Sequence, residues 1–163
     1  MKFDLPPIIF ATIFLLLLTA CTTAAPEEVT PTGAPPPPPT LDPTLVASGE
    51  ALYAQHCAEC HGENLEGEAE WQERNEDGSF RAPPHDASGH TWHHSDRALR
   101  EAILQGGARL GDLGDSDMPA YAGVLSDQDV EAVLTYIKST WPEDIHAVQW
   151  EVTVNDPGPA GEN

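Results

Sequence analysis

Residues 57–61 read CAECH: Cys57 and Cys60 stand three apart and His61 follows at once. Two thiols and an imidazole this close support four chemistries, namely a disulfide, a zinc site, a redox dithiol or covalent attachment of a haem. A structural zinc site needs four ligands, typically from two close pairs, and there is no second cysteine pair. A redox dithiol with this spacing accompanies a βαβ pattern, whereas this chain reads as helices with almost no strand. A disulfide suits an exported cysteine pair but leaves His61 without a role. Haem attachment employs all three residues, with two thioethers to the vinyl groups and the histidine directly under the iron.

Further residues with ligand chemistry lie C-terminal to this motif. Residues 85–94 read HDASGHTWHH. His85, His90, His93 and His94 could form a second metal site, with copper suited to imidazole. His93 or His94 could instead compete for the haem iron, or all four could pack within a loop. Met118 stands in a segment rich in glycine and aspartate, GARLGDLGDSDMPAYAGVL. A thioether there is either a soft ligand or a filler of the core.

The elements that position these residues read as helices joined by long loops. Leu45, Val46, Gly49, Leu52 and Tyr53 recur at helical spacing, which predicts a helix over 43–56 with Pro43 in its first turn. It runs straight into Cys57. Residues 61–94 have no sustained period and form a loop long enough to wrap something. Ser95 is a good N-cap for a second helix, with Asp96 in its first turn, and Gly106-Gly107 stops it. A third helix begins at Ser126 with Asp129 three residues on, a capping-box pattern. Val130, Val133, Leu134, Ile137 and Trp141 line one of its faces, and Pro142 ends it. Residues 143–163 read as a tail. Its His146–Val154 stretch alternates loosely, which allows one short strand. The fold class is all-α, three main helices with long connecting loops.

The N-terminal part has a different character. Lys2 precedes the apolar run 8–18, about 11 residues, the length of a signal-peptide core and short for a membrane span. Leu18-Thr19-Ala20-Cys21 resembles the lipobox of bacterial lipoproteins. That resemblance implies cleavage before Cys21 and a lipid on its sulfur, although Asp4 and Pro6-Pro7 depart from the expected basic start. Residues 1–20 are then a signal peptide, residues 21–43 a lipid-anchored proline-rich linker, 44–142 the folded domain and 143–163 the tail. Proline tracts extend at about 3.1 Å per residue, so the linker could hold the domain on the order of 50 Å from its anchor. The expected location is exported, on a membrane facing the periplasm or outer surface.

Twenty-seven acidic residues oppose seven basic ones, for a formal charge of −20. That excludes nucleic acid as a partner, since phosphate binding needs a basic stripe. It is compatible with basic-surfaced protein partners steered by the field, and equally with a surface adapted to salt.

Four features together resemble a class I c-type cytochrome domain from about Thr44 to Pro142. They are the helix entering CAECH; Gly49 and Tyr53 four apart on it; Met118-Pro119-Ala120-Tyr121; and Glu131-Ala132-Val133-Leu134-Thr135-Tyr136-Ile137. The resemblance implies one covalent haem c, held by Cys57 and Cys60 with His61 and Met118 as axial ligands. It implies that Gly49 lets the first and last helices cross closely. It also implies that the second nitrogen of His61 donates to a proline carbonyl after the motif, for which Pro83 is preferred over Pro84. Trp92 is placed to pack on the haem edge or to reach a propionate, with Arg81, Arg97, Arg100 and Arg109 as the available cations. His/Met ligation favours the ferrous state relative to two histidines. The implied activity is single-electron transfer between extracytoplasmic redox proteins, with no bond chemistry on a substrate. Alternatives are a cytochrome subunit of a dehydrogenase or oxidase complex, and a copper-handling protein using the loop histidines.

Overall fold

The computed structural model describes residue 33 and residues 35–158. Two compact units divide the chain, Met1–Ala34 and Pro35–Asn163. The expected signal peptide, the lipid site Cys21 and residues 22–32 of the linker lie outside the described residues.

The described residues are helical and contain no strand, only three isolated bridges. Helix α1 spans Pro43–His56; Asp42 caps it by accepting from the Thr44 amide at 2.7 Å, and Pro43 occupies the first turn. A single turn, α2 (Ala58–His61), follows directly. After the long loop and a 3-10 turn at Thr91–His93 comes α3 (Asp96–Gln105), with the Ser95 side chain as its cap. A 3-10 segment, Gly106–Leu113, leads towards Met118. Helix α4 (Asp127–Ser139) carries the expected capping box, in which the Ser126 side chain accepts from the Asp129 amide and Asp129 accepts from the Ser126 amide.

Helices α1 and α4 cross closely, and Gly49 is the reason. A Cβ at that position would lie 2.0 Å from the Ala132 carbonyl oxygen and 2.8 Å from Tyr136 Cβ. One turn on, Tyr53 is buried and its ring meets that of Tyr136 at 5.4 Å. The core divides into two patches. Tyr53, Leu65, Val133, Ile137 and Trp141 form one, and Leu99, Leu125, Val130 and Leu134 form the other. Buried aliphatic side chains of this kind stabilise by about 1.5–3 kcal/mol each.

The expectation of a short strand in the tail is overturned. Residues Glu143–Val154 form a fifth helix, α5, on Pro142, with Glu143 and Asp144 in its first turn. Those acids face the positive end of the helix dipole. The inward positions are Ile145, Gln149 and Thr153, spaced by four. Gln149 is wholly buried, with Nε2 2.7 Å from Asp96 Oδ1 and 3.1 Å from the His94 carbonyl oxygen. Val148 and Val154 are 45% and 39% exposed. The helical stripe is therefore partly polar, while Val148 and Val154 point outwards.

Candidate haem-binding site

The end of α1 and the turn of α2 hold the CAECH residues in one continuous backbone path. The Cys60 and His61 amides both donate to the Cys57 carbonyl, at 3.2 and 2.9 Å. The Tyr53 hydroxyl lies 3.3 Å from the His61 carbonyl and 3.2 Å from that of Gly62, fastening the turn to the core. Cys57 is half-buried, Cys60 is exposed and neither is in a disulfide. Burial, with Cys60 alongside, pushes the Cys57 thiol up to about 11. A redox dithiol requires the opposite, a depressed thiol.

His61 is 7% exposed, and its Nδ1 lies 2.8 Å from the Pro83 carbonyl oxygen. A carbonyl only accepts, so Nδ1 carries the proton and Nε2 keeps its lone pair. Burial lowers the pKa of the ring, against the opposing effect of the Pro83 bond, which favours the neutral imidazole a metal requires. Of the two prolines, Pro83 supplies the carbonyl and Pro84 has a different task, accepting from the Thr91 hydroxyl at 3.2 Å.

That last bond fixes His85. The Thr91 hydroxyl has one proton and spends it on Pro84, so His85 Nδ1, 2.8 Å from Thr91 Oγ1, must be the donor there. The His85 ring stacks on His61 with centroids 4.0 Å apart and planes inclined by 25°. The Trp141 indole N–H donates to the His85 carbonyl at 2.8 Å. His85 thus buttresses the face of His61.

The structure does not gather His85, His90, His93 and His94 into the second metal site considered from sequence. His90 stacks on Trp71 at 5.1 Å and meets His94 edge-on at 5.4 Å, while His93 stacks on Trp92 at 3.7 Å. His85, His90 and His93 are each stacked on a ring outside the set. Among the described residues no three His, Cys, Asp or Glu side chains are grouped to hold a metal ion.

Met118, half-buried, lies on a segment with little regular structure. Backbone bonds pin it to the end of α3. The Gly107 amide donates to the Met118 carbonyl at 2.8 Å, and the Tyr121 and Ala122 amides donate to Ile103 and Leu104 at 3.1 Å. A Cβ on Gly106 (φ +59°) would come within 2.5 Å of the Met118 oxygen, so the glycine pair that stops α3 also seats this segment. The Tyr121 hydroxyl donates to the His56 carbonyl, one residue before Cys57. That carbonyl lies in the last turn of α1, where the helix lacks its own donors. Sequence reasoning missed both devices. Gly106-Gly107 read as a stop, and nothing local in Tyr121 names a partner 65 positions away.

Among the described residues two buried donors have no acceptor, Trp92 Nε1 and Arg81 Nε. They fit a ligand that brings carboxylates. The other arginines are committed: Arg97 to Glu101 and Asp156, Arg100 to Glu131 and Asp127, and Arg109 to Glu101. Lys138 pairs with Asp96 at 2.6 Å, and Arg74 lies 3.8 Å above the Phe80 ring. A crevice of about 540 Å³ beside the Met118 segment is lined by Asp77, Asp115 and Asp117.

A family model described as cytochrome c matches residues 46–141, well over half of the chain. No match to the chain is found among the curated proteins.

Proposed function

This chain belongs to the cytochrome c family, and from that premise we propose that CAECH and Met118 carry its single haem c in a carrier of single electrons tethered to a membrane. A haem-based electron-transfer protein with one covalent haem c is what the family assigns. The particular residues, tether and partners are our reading. Cys57 and Cys60 would hold the haem through thioethers, with His61 Nε2 and the Met118 sulfur as ligands to its iron and Pro83 orienting the His61 ring. Trp92 and Arg81 would donate to the propionates. When bound, the haem supplies a one-electron couple at iron. The protein excludes water, keeps both axial groups in place and sets the potential through them.

The observation that carries this reading is the 2.8 Å contact between His61 Nδ1 and the Pro83 carbonyl oxygen, directly after two unlinked thiols. It fixes the tautomer that a proximal ligand needs. The test is the absorption spectrum of the exported protein, oxidised, reduced and after acid–acetone extraction. Colour retained by the protein and a weak far-red band in the oxidised form are expected. Loss of colour on extraction would overturn the thioethers, and colour without that band would overturn Met118.

The tether rests on Leu18-Thr19-Ala20-Cys21 and the prolines that follow. No helix among the described residues is long and apolar enough to cross a membrane. Cys21→Ser is expected to move the haem protein from the membrane fraction to the soluble one. Partner choice follows the charge. Five of the six described cations are engaged within the chain, as above, the sixth is Arg81, and the net charge is −20. A basic-surfaced partner is therefore favoured, with an electron-exchange rate that falls as salt rises.

A further inference from the structure

The family match covers residues 46–141, so two described segments flank it, the proline run before α1 and α5 after α4. They touch each other. The Trp150 indole N–H donates to the Pro36 carbonyl at 2.7 Å. Pro38 is half-buried although its neighbours Pro37 and Pro39 are exposed. Thr40 and Leu41 wall a groove of about 290 Å³ whose other side is formed by Lys138, His146 and Trp150. Compactness of this unit begins at Pro35 rather than at α1.

The chemistry suits such a contact. Proline has a carbonyl and no N–H, so a proline run offers acceptors that no bond of its own consumes. An indole N–H is a donor with an apolar ring around it, the combination that proline-rich segments dock against in other settings. Helix α5 is also a firm platform. Its Gln149 is fixed to Asp96 and to the His94 carbonyl, and Asp156 just beyond it receives the Arg97 fork at 2.9 and 3.1 Å and the Ser95 hydroxyl. None of these residues belongs to the haem site proposed above.

We propose that α5 is a docking surface for the chain's own proline-rich segment, residues 35–41, clasped through Trp150, so that the tether leaves the domain at Pro35 instead of at Pro43. The clasp removes residues 35–42 from the free linker. At about 3.1 Å per extended residue that shortens its reach by on the order of 25 Å. It also sets a defined point from which the domain is held, so the anchor biases which face turns towards a partner.

The test is limited proteolysis of the full haem-loaded chain with thermolysin, following cleavage before Leu41 by mass spectrometry. Trp150→Phe leaves a smaller aromatic ring and removes the N–H, and at least about fivefold faster cleavage is expected, the size of one neutral hydrogen bond. Trp150→Ala is expected to raise the rate more than tenfold. Val148→Ala, on the exposed side of α5, is expected to leave it unchanged. Wild-type rates in both Trp150 variants would overturn the clasp. So would an equal rise in Val148→Ala, which would mean only that α5 had loosened. The consequence for reach rests on the lipid-anchor reading, whereas the cleavage result does not. If Cys21→Ser leaves the protein in the membrane fraction, the anchor falls and the clasp stands.

Discussion

The two walls of the haem site proposed for this chain are built by different means. The His61 side is a stack of buried groups: Pro83 orients the ring, His85 covers its face, Thr91 fixes His85, and Tyr53 ties the turn to the α1–α4 crossing. The Met118 side is a segment held at its backbone by the end of α3 and at one side chain by Tyr121. The first wall draws on side-chain burial and a shared core. The second draws on a few hydrogen bonds at the surface. A site of this kind should keep its proximal ligand rigidly and release its distal one more readily, because local opening follows low burial and few contacts.

The comparison is broken most completely at the attachment residues. Replacing Cys57 and Cys60 by Ala should leave no haem on the protein after acid–acetone extraction. Met118→Ala should retain it while losing the far-red band and lowering the potential.

Gly49→Ala comes next. Its added methyl has no room at the Ala132 carbonyl, and a loss of about 3 kcal/mol in denaturant unfolding is expected. Thr91→Val strands the His85 N–H and the Pro84 carbonyl. About 2 kcal/mol should disappear from the same measurement, with the far-red band intact because the Met118 side is untouched.

Tyr121→Phe does the reverse at smaller cost. It should lower global stability by about 1 kcal/mol but raise binding of added imidazole to the oxidised protein several-fold. Equal sensitivity of both walls to imidazole entry would erase the distinction between them.

The mildest test concerns acid. Asp156 is held down to about 2, against an ordinary 3.8, first by the Arg97 hydrogen bonds and then by Ser95. A depressed carboxylate contributes its stability fully above about pH 4 and loses it as pH falls through about 2. Asp156→Asn should therefore be less stable near neutrality, with a flatter stability profile between pH 4 and 2 in thermal melts.

Much of the scaffold was legible in the residues. Pro43, Ser95-Asp96 and Ser126 with Asp129 marked three helix starts where the structure has them, because the chemistry of a helix start is local. The crossing at Gly49 came from the family resemblance, and the structure bears it out, since a Cβ there would meet the Ala132 carbonyl. Helix α5 was not legible. Its inward face carries Gln149 and Thr153, whose reason for facing inwards is Asp96 and the His94 carbonyl, more than 50 positions away. The histidines left several readings open in the sequence, because four within ten residues resemble a ligand set as much as loop packing; the structure stacks His85 on His61, His90 on Trp71 and His93 on Trp92.

The sequence by itself determined where a haem can be attached, since CAECH needs only the reach of one helical turn, and it determined the charge that any partner meets. Only the tertiary structure decided that His85 is a buttress, that Gly106 and Tyr121 seat the Met118 segment, and that Trp150 holds the proline run. Each of those depends on two groups far apart in the chain meeting within a few ångströms, and a linear pattern carries no record of such meetings until the helices that enforce them are packed.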